Sequence, residues 1–289
     1  MFGLLNVNKP AGITSRDVVN RVQRLVKPHK VGHAGTLDPL ATGVLIVCIG
    51  PATRLIEYVQ RMPKRYLGTF LLGRRSDTED IEGHFEELDD PPQPGEDAIR
   101  AVLPRFTGSI EQLPPAYSAL KIDGKRAYSL ARSGQEVTLQ ARTIEVHSIE
   151  LVRYTYPELV LDIRCGSGTY VRSLGRDIAR ALGTETVMSA LERREIGPFT
   201  VETSLADAAL TRETIAAHLR PAAEAVAGLP TVVVGPNELA ELVNGRRIPN
   251  PSGLEATEIV AFNEAGELVA LLRPAEDGRL QPTRVFPAG

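Results

Sequence analysis

Residues 32–43 read GHAGTLDPLATG and lead directly into the apolar run VLIVCI at 44–49. A proline disfavours the helical conformation of the residue before it, so Asp38 is expected on an extended or turn segment. The surrounding glycines and small residues predict a loop that ends at a buried strand. Loops held by a rigid scaffold often carry catalytic groups, so Asp38 is a candidate acid, although an isolated Asp-Pro pair is more commonly ordinary turn chemistry.

The composition is that of an ordinary globular protein. Of the 289 residues, 43% are hydrophobic and 24% are charged, and the length fits one large domain or two smaller ones. Apolar runs stay well short of the roughly 18 residues that span a bilayer, and the start does not resemble a signal peptide, so we expect a cytoplasmic protein without a membrane segment. Cys48 and Cys165 lie in apolar runs and are expected as buried thiols. The histidines are scattered, so no metal site is expected.

Charge is distributed unevenly along the chain. The net charge of −3 argues weakly against nucleic-acid binding, but residues 1–35 hold six basic residues against one acid. Residues 77–97 hold ten acids and no lysine or arginine. We interpret most of this acidic segment as a solvated, proline-punctuated loop, and we expect a polyanion to dock elsewhere.

Hydrophobic periodicity predicts helices and strands without regular alternation, which is typical of an α+β fold. Strands are expected at 2–7, 44–49, 66–72, 141–152, 158–165, 186–196, 232–234, 257–263 and 268–273. Helices are expected at 14–27, 52–61, just before 104, 126–133, 170–182, 203–227 and 237–243. The sequence Gly228-Leu229-Pro230 is a plausible linker to a compact terminal unit.

Three further segments contain candidate functional residues. Small residues at 166–169 precede a predicted helix and could cradle a phosphate, but no Gly-Lys-Ser/Thr follows, which disfavours a nucleotide triphosphatase. Arg172 in the first turn of that helix is electrostatically misplaced unless a carboxylate or phosphate compensates it, or it is a plain surface arginine. Tyr66 is a core residue or a ring that stacks on a base, worth about 1–3 kcal/mol. Lys9 belongs to a turn or contacts a backbone phosphate.

Six segments in this order closely resemble the TruB family of bacterial tRNA pseudouridine synthases. They lie at 9–15, 32–43, 64–66 with 72–73, 76–80 with 83, 113–119 and 168–174. Ser76 stands where relatives often have threonine, which keeps the hydroxyl. The tail from about 231 resembles a small PUA-type RNA-binding domain, with weaker motifs.

The resemblance implies a fold and a partner. It implies a catalytic domain at 1–228, with an insertion at about 76–135 and a central mixed, mainly antiparallel sheet flanked by helices and loops. A small β-rich PUA-like RNA-binding domain would follow at 231–289. The expected partner is the T arm and elbow of tRNA, bound by a monomer that needs no obligate protein partner.

The resemblance also implies a reaction and assigns its residues. These enzymes isomerise uridine 55 in the T loop to pseudouridine without a metal or organic cofactor. Asp38 matches the catalytic aspartate, Arg172 the arginine that pairs with it, and Tyr66 the tyrosine that stacks on uracil and is a candidate to remove the C5 proton. Further substrate-binding residues are implied beside the pocket and on the RNA: His33, which would fill the space of flipped bases, Tyr170, Gly35, Thr36, Leu37, and Lys9 on a phosphate.

Two other functions fit parts of the sequence. A protein that clamps the tRNA elbow and helps it fold needs no chemistry, whereas the presence of Asp38, Tyr66 and Arg172 together favours catalysis. A metabolic α+β enzyme would use Asp38 as an acid or base on a small molecule, against which stand the basic first 35 residues and the terminal unit. The chemical route taken by Asp38 stays open, and the long acidic stretch has no functional interpretation.

Overall fold

A computed structural model describes residues 1–115, 117, 121–122, 125–126, 139–251 and 253–286. The strands, numbered in chain order, are β1 Gly3–Lys9, β2 Val31–His33, β3 Thr42–Ile49, β4 Lys64–Leu72, β5 Arg74–Ser76, β6 Phe85–Glu87, β7 Gly108–Gln112, β8 Lys121–Ile122, β9 Lys125–Arg126, β10 Arg142–Thr155, β11 Glu158–Cys165, β12 Thr186–Ile196, β13 Phe199–Thr200, β14 Leu205–Ala206, β15 Thr231–Val234, β16 Ile259–Asn263, β17 Leu268–Pro274 and β18 Leu280–Val285.

Helices lie mainly between and beside these strands. The α-helices are Ser15–Leu25, Ile56–Arg61, Glu96–Val102, Val171–Ala181, Arg212–Ala217 and Pro236–Val243. The 3-10 helices are Gly50–Leu55, Leu103–Phe106, Val201–Thr203, Asp207–Ala209 and Ala222–Val226. Within the described residues, no helix is long and apolar enough to cross a membrane.

A large central sheet organises the first 206 residues. Its main path runs β14-β1-β3-β12-β4-β11-β10-β7, with β2 on β3 and β13 on β12. Most neighbours are antiparallel, and the β1–β14 and β3–β12 pairs are parallel. The expected α+β class with a mixed, mainly antiparallel sheet is therefore confirmed.

The continuous apolar run of β3 is explained by burial on both faces of the sheet. Val47 and Ile49 pack towards helix Ser15–Leu25, which Thr14 caps through a reciprocal pair of hydrogen bonds with Asp17. Ile46 and Cys48 pack on the opposite face of the sheet. A strand covered on both sides has no solvent face, so its residues need not alternate between apolar and polar.

The terminal residues form a four-stranded sheet in the order β15-β16-β17-β18 with helix Pro236–Val243 beside it. Strand β18 had no counterpart among the predicted strands, because Gln281, Pro282 and Arg284 interrupt its hydrophobic pattern. The predicted linker is packed rather than free. The Pro230 carbonyl accepts from the Val260 amide at 2.8 Å, and Leu229 contacts a buried cluster.

The helix predicted at 203–227 is wrong. The structure has the short strand β14, one six-residue helix at Arg212–Ala217 and single 3-10 turns. Strand β14 pairs in parallel with β1, and Leu210 and Ile215 enter the core beside the first helix. Strand pairing and burial therefore override the helix propensity of the alanines. The helix predicted at 126–133 lies outside the described residues except for Arg126, which belongs to β9.

Candidate active site

Hydrogen bonds from neighbouring elements hold the loop that carries Asp38. The Ser15 hydroxyl, at the start of the first helix, accepts from the Leu37 amide at 2.9 Å and donates to the Leu37 carbonyl at 3.2 Å. After the acid, the Ala41 amide donates to the Asp38 carbonyl at 3.0 Å. The carboxylate is thus presented by a backbone that is fixed on both sides, as a catalytic group requires.

Lys9 supports the same loop from inside the protein, which corrects the expectation that it contacts a phosphate. Its ammonium is buried and donates to the carbonyls of Pro10 at 2.8 Å, Ile13 at 2.7 Å and Pro39 at 3.1 Å. These three carbonyls occupy all three donors of the lysine, so no donor remains for RNA. Strand alternation explains this placement, because Lys9 shares the inward face of β1 with Val7.

Arg193 on β12 braces the first half of the loop. Its guanidinium, 2% exposed, donates to the carbonyls of Val44 at 2.7 Å, Gly35 at 3.2 Å and Thr36 at 3.4 Å. The backbone of Gly43 lies so close to the Arg193 backbone that a side-chain β-carbon at position 43 would overlap it. The loop and β12 therefore approach one another at a distance that only glycine permits.

Arg172 and Asp38 form an ion pair, as expected from the resemblance. Arg172 Nε lies 3.0 Å from Asp38 Oδ2. The guanidinium is 7% exposed and the carboxylate 34%, so the acid keeps an open side while the arginine is sealed behind it. The pair also explains why an arginine stands in the first turn of helix Val171–Ala181, where its charge opposes the helix dipole.

The rest of the Arg172 guanidinium is held by residues that follow β5 and β7. Its Nη1 donates to the Thr78 carbonyl at 2.6 Å and lies 3.3 Å from Asp80 Oδ2, and Nη2 donates to the Tyr117 carbonyl at 3.0 Å. Asp80 is 4% exposed. One side of the arginine is thus consumed by anchoring contacts, which leaves Nε to aim Asp38.

Two acids near the start of the acidic segment, Glu79 and Asp80, are therefore not solvated and depart from the interpretation given for most of the segment. Besides Asp80, Glu79 is largely buried, pairs with Arg176, and accepts from the Ser173 hydroxyl at 2.9 Å. Burial raises the pKa of Glu79, and the charge of Arg176 opposes that shift. Later acids such as Glu86 and Glu87 are exposed and fit the original interpretation.

An open cleft of about 370 Å³ lies in front of this ion pair. Most of the predicted site residues line it: Gly35, Thr36, Leu37, Asp38, Tyr66, Tyr170 and Arg172. Gln60, Lys64, Leu191, Arg193 and the turn at 166–169 complete the wall. A cleft of this volume is suited to a small-molecule or single-nucleotide ligand.

Tyr66 lies in the cleft wall, almost fully buried at 9% exposure. Burial raises the pKa of its hydroxyl, while the charge of Arg193 and a hydrogen bond to it act in the opposite direction. The group is therefore a neutral phenol at neutral pH. Because Tyr66 lines the cleft, its ring is available for a planar base to stack on.

Tyr170 and His33 occupy different positions relative to the cleft. Tyr170 caps helix Val171–Ala181, and the buried Gln112 clamps its backbone: the Tyr170 amide donates to Oε1 at 2.9 Å and its carbonyl accepts from Nε2 at 3.0 Å. His33 lies on β2 opposite Val47 and does not line the cleft. The structure thus brings Tyr170 to the site directly and leaves His33 beside it.

Sequence reasoning had no role for several residues of this site. Arg193 lies on β12 and Gln112 at the end of β7. The signal that could have identified them is a charged or amide side chain at an inward-facing position of a strand. Ser15 falls within the 9–15 motif and at the start of a predicted helix, but neither signal predicts its contact with the Asp38 loop. Lys64 was noted as part of the 64–66 segment, but without a function.

Comparison with known proteins matches this chain to pseudouridylate synthases. A family model described as TruB family pseudouridylate synthase (N terminal domain) matches residues 23–171. The chain is 39% identical to tRNA pseudouridine synthase B of Dehalococcoides mccartyi, over 99% of this chain and 97% of the relative. It is 38% identical to the protein of the same name from Syntrophomonas wolfei, over 99% of both chains.

Solved structures with a similar fold contain RNA or protein partners. One is an H/ACA RNP bound to a substrate RNA containing 2′-deoxyuridine, with a TM-score of 0.75 and 25% identity over 99% of this chain and 86% of that chain. Another is a Cbf5-Nop10-Gar1 complex, with a TM-score of 0.74 and 26% identity over 99% of this chain and 84% of that chain.

Proposed function

The chain belongs to the TruB family of pseudouridylate synthases, and we propose that it converts uridine 55 in the T loop of tRNA to pseudouridine. The observation that carries the proposal is the Asp38–Arg172 pair at the mouth of a nucleotide-sized cleft. Its relatives are named tRNA pseudouridine synthase B, which supports tRNA as the substrate.

The proposed reaction exchanges one bond of the uridine for another. The bond between N1 of uracil and C1′ of ribose breaks, the detached base turns within the cleft, and C5 bonds to C1′. The proton released from C5 balances the one gained at N1. A base inside a folded tRNA elbow is inaccessible, so the nucleotide must first be everted into the cleft.

The cleft residues support distinct roles in this exchange. Asp38 supplies the anionic oxygen that starts it, and Arg172 aims that oxygen. Tyr66 offers its ring to the base. Its oxygen is the candidate acceptor for the C5 proton once the hydroxyl has given its own proton to N1 of the released base. Leu37 and Tyr170 line the same space and hold the base and sugar.

We further propose that the exposed cations near the N-terminus and the terminal four-stranded sheet contact the tRNA. Arg16, Arg24, Lys27 and Lys30 are exposed on or just after the first helix, which also supplies Ser15 to the Asp38 loop. The terminal sheet with its helix is consistent with a PUA-like RNA-binding unit from about 231, after a catalytic domain at 1–228.

The test is to map pseudouridine in unmodified tRNA after incubation with the purified protein. We expect a single new pseudouridine at position 55, and Asp38→Asn should lower the rate more than about 10³-fold. Binding of the same tRNA should stay within about threefold, because the other contacts remain. A protein that binds tRNA but modifies no uridine would instead be an RNA clamp, and substantial turnover by Asp38→Asn would reject the role of Asp38.

A further inference from the structure

The cleft wall contains two cations that have no carboxylate partner among the described residues. Lys64 begins β4 and Arg193 lies on β12, and both line the cleft. Among the described residues, neither forms an ion pair within 4.0 Å. The nearby Arg65 provides a contrast, because it is neutralised by Asp162 at 2.9 Å and Glu195 at 2.9 Å.

The Lys64 ammonium has donors to spare. Its hydrogen-bond partner within the described part of the chain is the Gln60 carbonyl, so two of its three donors are available. Lys9 differs in this respect, because its ammonium is saturated by three carbonyls. Burial, and then repulsion from Arg193, lower the pKa of Lys64 to about 8, so the site favours the arrival of a negative charge.

The position of Lys64 relative to Tyr66 fits one nucleotide. The two residues are two positions apart on β4 and therefore project from the same face, about 7 Å apart along the strand. A base on the Tyr66 ring would bring its own sugar-phosphate backbone to the Lys64 end of the cleft. The small residues of the turn at 166–169 border that end and leave room for a phosphate.

We propose that Lys64, with Arg193 behind it, binds a backbone phosphate adjacent to the everted uridine. This inference rests on the proposed function, since it takes an RNA strand in the cleft as given. A phosphate is favoured over a uracil carbonyl because a full negative charge compensates Lys64 and the buried Arg193, whereas a neutral oxygen does not. Lys64 is thereby a substrate-positioning residue that holds the strand while Asp38 acts on the sugar or base.

The experiment measures binding of a T-arm hairpin RNA in the Asp38→Asn background, where the probe is not consumed. Adding Lys64→Met should raise Kd about tenfold and lower the slope of log K against log salt by about 0.7. Lys64→Arg should retain most of the affinity. The control is Arg153→Ala on β10, which removes an exposed cation paired with Glu158. Glu158 lies opposite Leu71, at the end of β4 remote from Lys64, so this variant should change neither quantity.

A neutral methylphosphonate at the linkage 5′ or 3′ of the target uridine identifies the group that is bound. At one of the two linkages, the methylphosphonate should raise the Kd of the Asp38→Asn protein by about the same factor as Lys64→Met does. It should not raise the Kd of the protein that carries both substitutions any further. Equal sensitivity of both proteins at both linkages would overturn the phosphate site, as would unchanged binding by a folded Lys64→Met protein. Conversion of the natural hairpin by the wild type is scored separately. If the wild type does not convert the hairpin, both the proposed function and this inference are rejected. If it converts the hairpin but the losses of affinity from Lys64→Met and from the methylphosphonate add, only the phosphate site is rejected.

Discussion

Tyr66 is the residue whose chemistry the site constrains most. It is buried in the cleft wall, its hydroxyl contacts Arg193, and its raised pKa keeps it protonated at neutral pH. A phenol in this state stacks well but accepts a proton only if a neighbouring cation favours the phenolate. Among the described residues, Arg193 acts in that direction, because its charge and its hydrogen bond to the hydroxyl favour the ionised form.

Tyr66→Phe separates the ring of this residue from its hydroxyl. If the hydroxyl accepts the C5 proton, turnover should fall by about 10²–10⁴-fold while tRNA affinity stays close to the wild-type value, because the stacking ring remains. Single-turnover rates and a binding titration on the same tRNA measure the two effects. Wild-type activity in Tyr66→Phe would show that the hydroxyl is no proton acceptor.

The two cysteines lead to a pH prediction. Burial raises the pKa of the Cys48 thiol to about 12 and that of Cys165 to about 11, from an ordinary value of 9.0. The native protein should therefore resist a thiol reagent at pH 8 and react only after denaturation, because the thiolate is the reactive form. Rapid labelling of two thiols without denaturant would contradict this assignment.

The same shift determines how Cys48 affects stability. A raised native pKa means that the folded state binds more protons than the unfolded state between pH 9 and about 12, so this contribution is complete below pH 9 and declines as the pH rises through that window. Denaturant titrations of wild type and Cys48→Ala should accordingly show a gap in unfolding free energy that narrows from pH 9 to pH 11. A gap that widens would contradict the buried, protonated thiol.

At the scale of elements, the Asp38 loop is a joint product of three of them. The end of β1 supplies Lys9, the start of the first helix supplies Ser15, and β12 supplies Arg193. All three residues are distant from the loop in sequence, because β2 is the element that leads directly into it. The carboxylate is thus positioned by tertiary contacts, in addition to the local preference of an Asp-Pro pair.

Lys9→Met tests this supporting role. The substitution leaves the carbonyls of Pro10, Ile13 and Pro39 without their buried donor, so we expect a loss of about 1–3 kcal/mol in unfolding free energy and a lower turnover rate. The salt dependence of tRNA binding should match that of the wild type. A salt slope reduced by about 0.7 would restore the view of Lys9 as a phosphate ligand.

At the scale of the whole molecule, the terminal sheet is built into the rest of the protein. Phe286 is 2% exposed and stacks on Phe2 with ring centroids 5.5 Å apart, and Arg54 lies over its ring. On the same side, the Tyr58 hydroxyl donates to Glu258 at 2.8 Å. A shared apolar cluster joins residues of β1 and β3 to residues of β16 and β17.

Phe286→Ala should therefore destabilise the protein by about 3–5 kcal/mol, the range for removing a buried aromatic side chain. Denaturant unfolding of the protein without RNA measures the loss of unfolding free energy. It is followed by two probes, circular dichroism for secondary structure and tyrosine fluorescence for tertiary structure. Coincident transitions are expected, because the apolar cluster couples the terminal strands to the central sheet. A loss below about 1 kcal/mol would show that the two sheets contact each other only weakly.

The sequence by itself determined the α+β class and the long strands, because continuous or periodic apolar runs predict burial. An acid before proline also disfavours a helix at Asp38. The segment motifs indicated the family, which the comparisons confirmed, and it is this resemblance that proposes Asp38, Tyr66 and Arg172 as a set.

Only the tertiary structure decided that Lys9 faces inward, that Glu79 and Asp80 are buried counter-ions, and that residues 203–227 are mostly not helical. In each case the outcome depends on a partner distant in sequence: the Pro39 carbonyl, the arginines of helix Val171–Ala181, and the edge of β1. Charge and propensity describe what a residue tends to do alone, whereas desolvation and strand pairing depend on which groups the fold brings within a few ångströms of it.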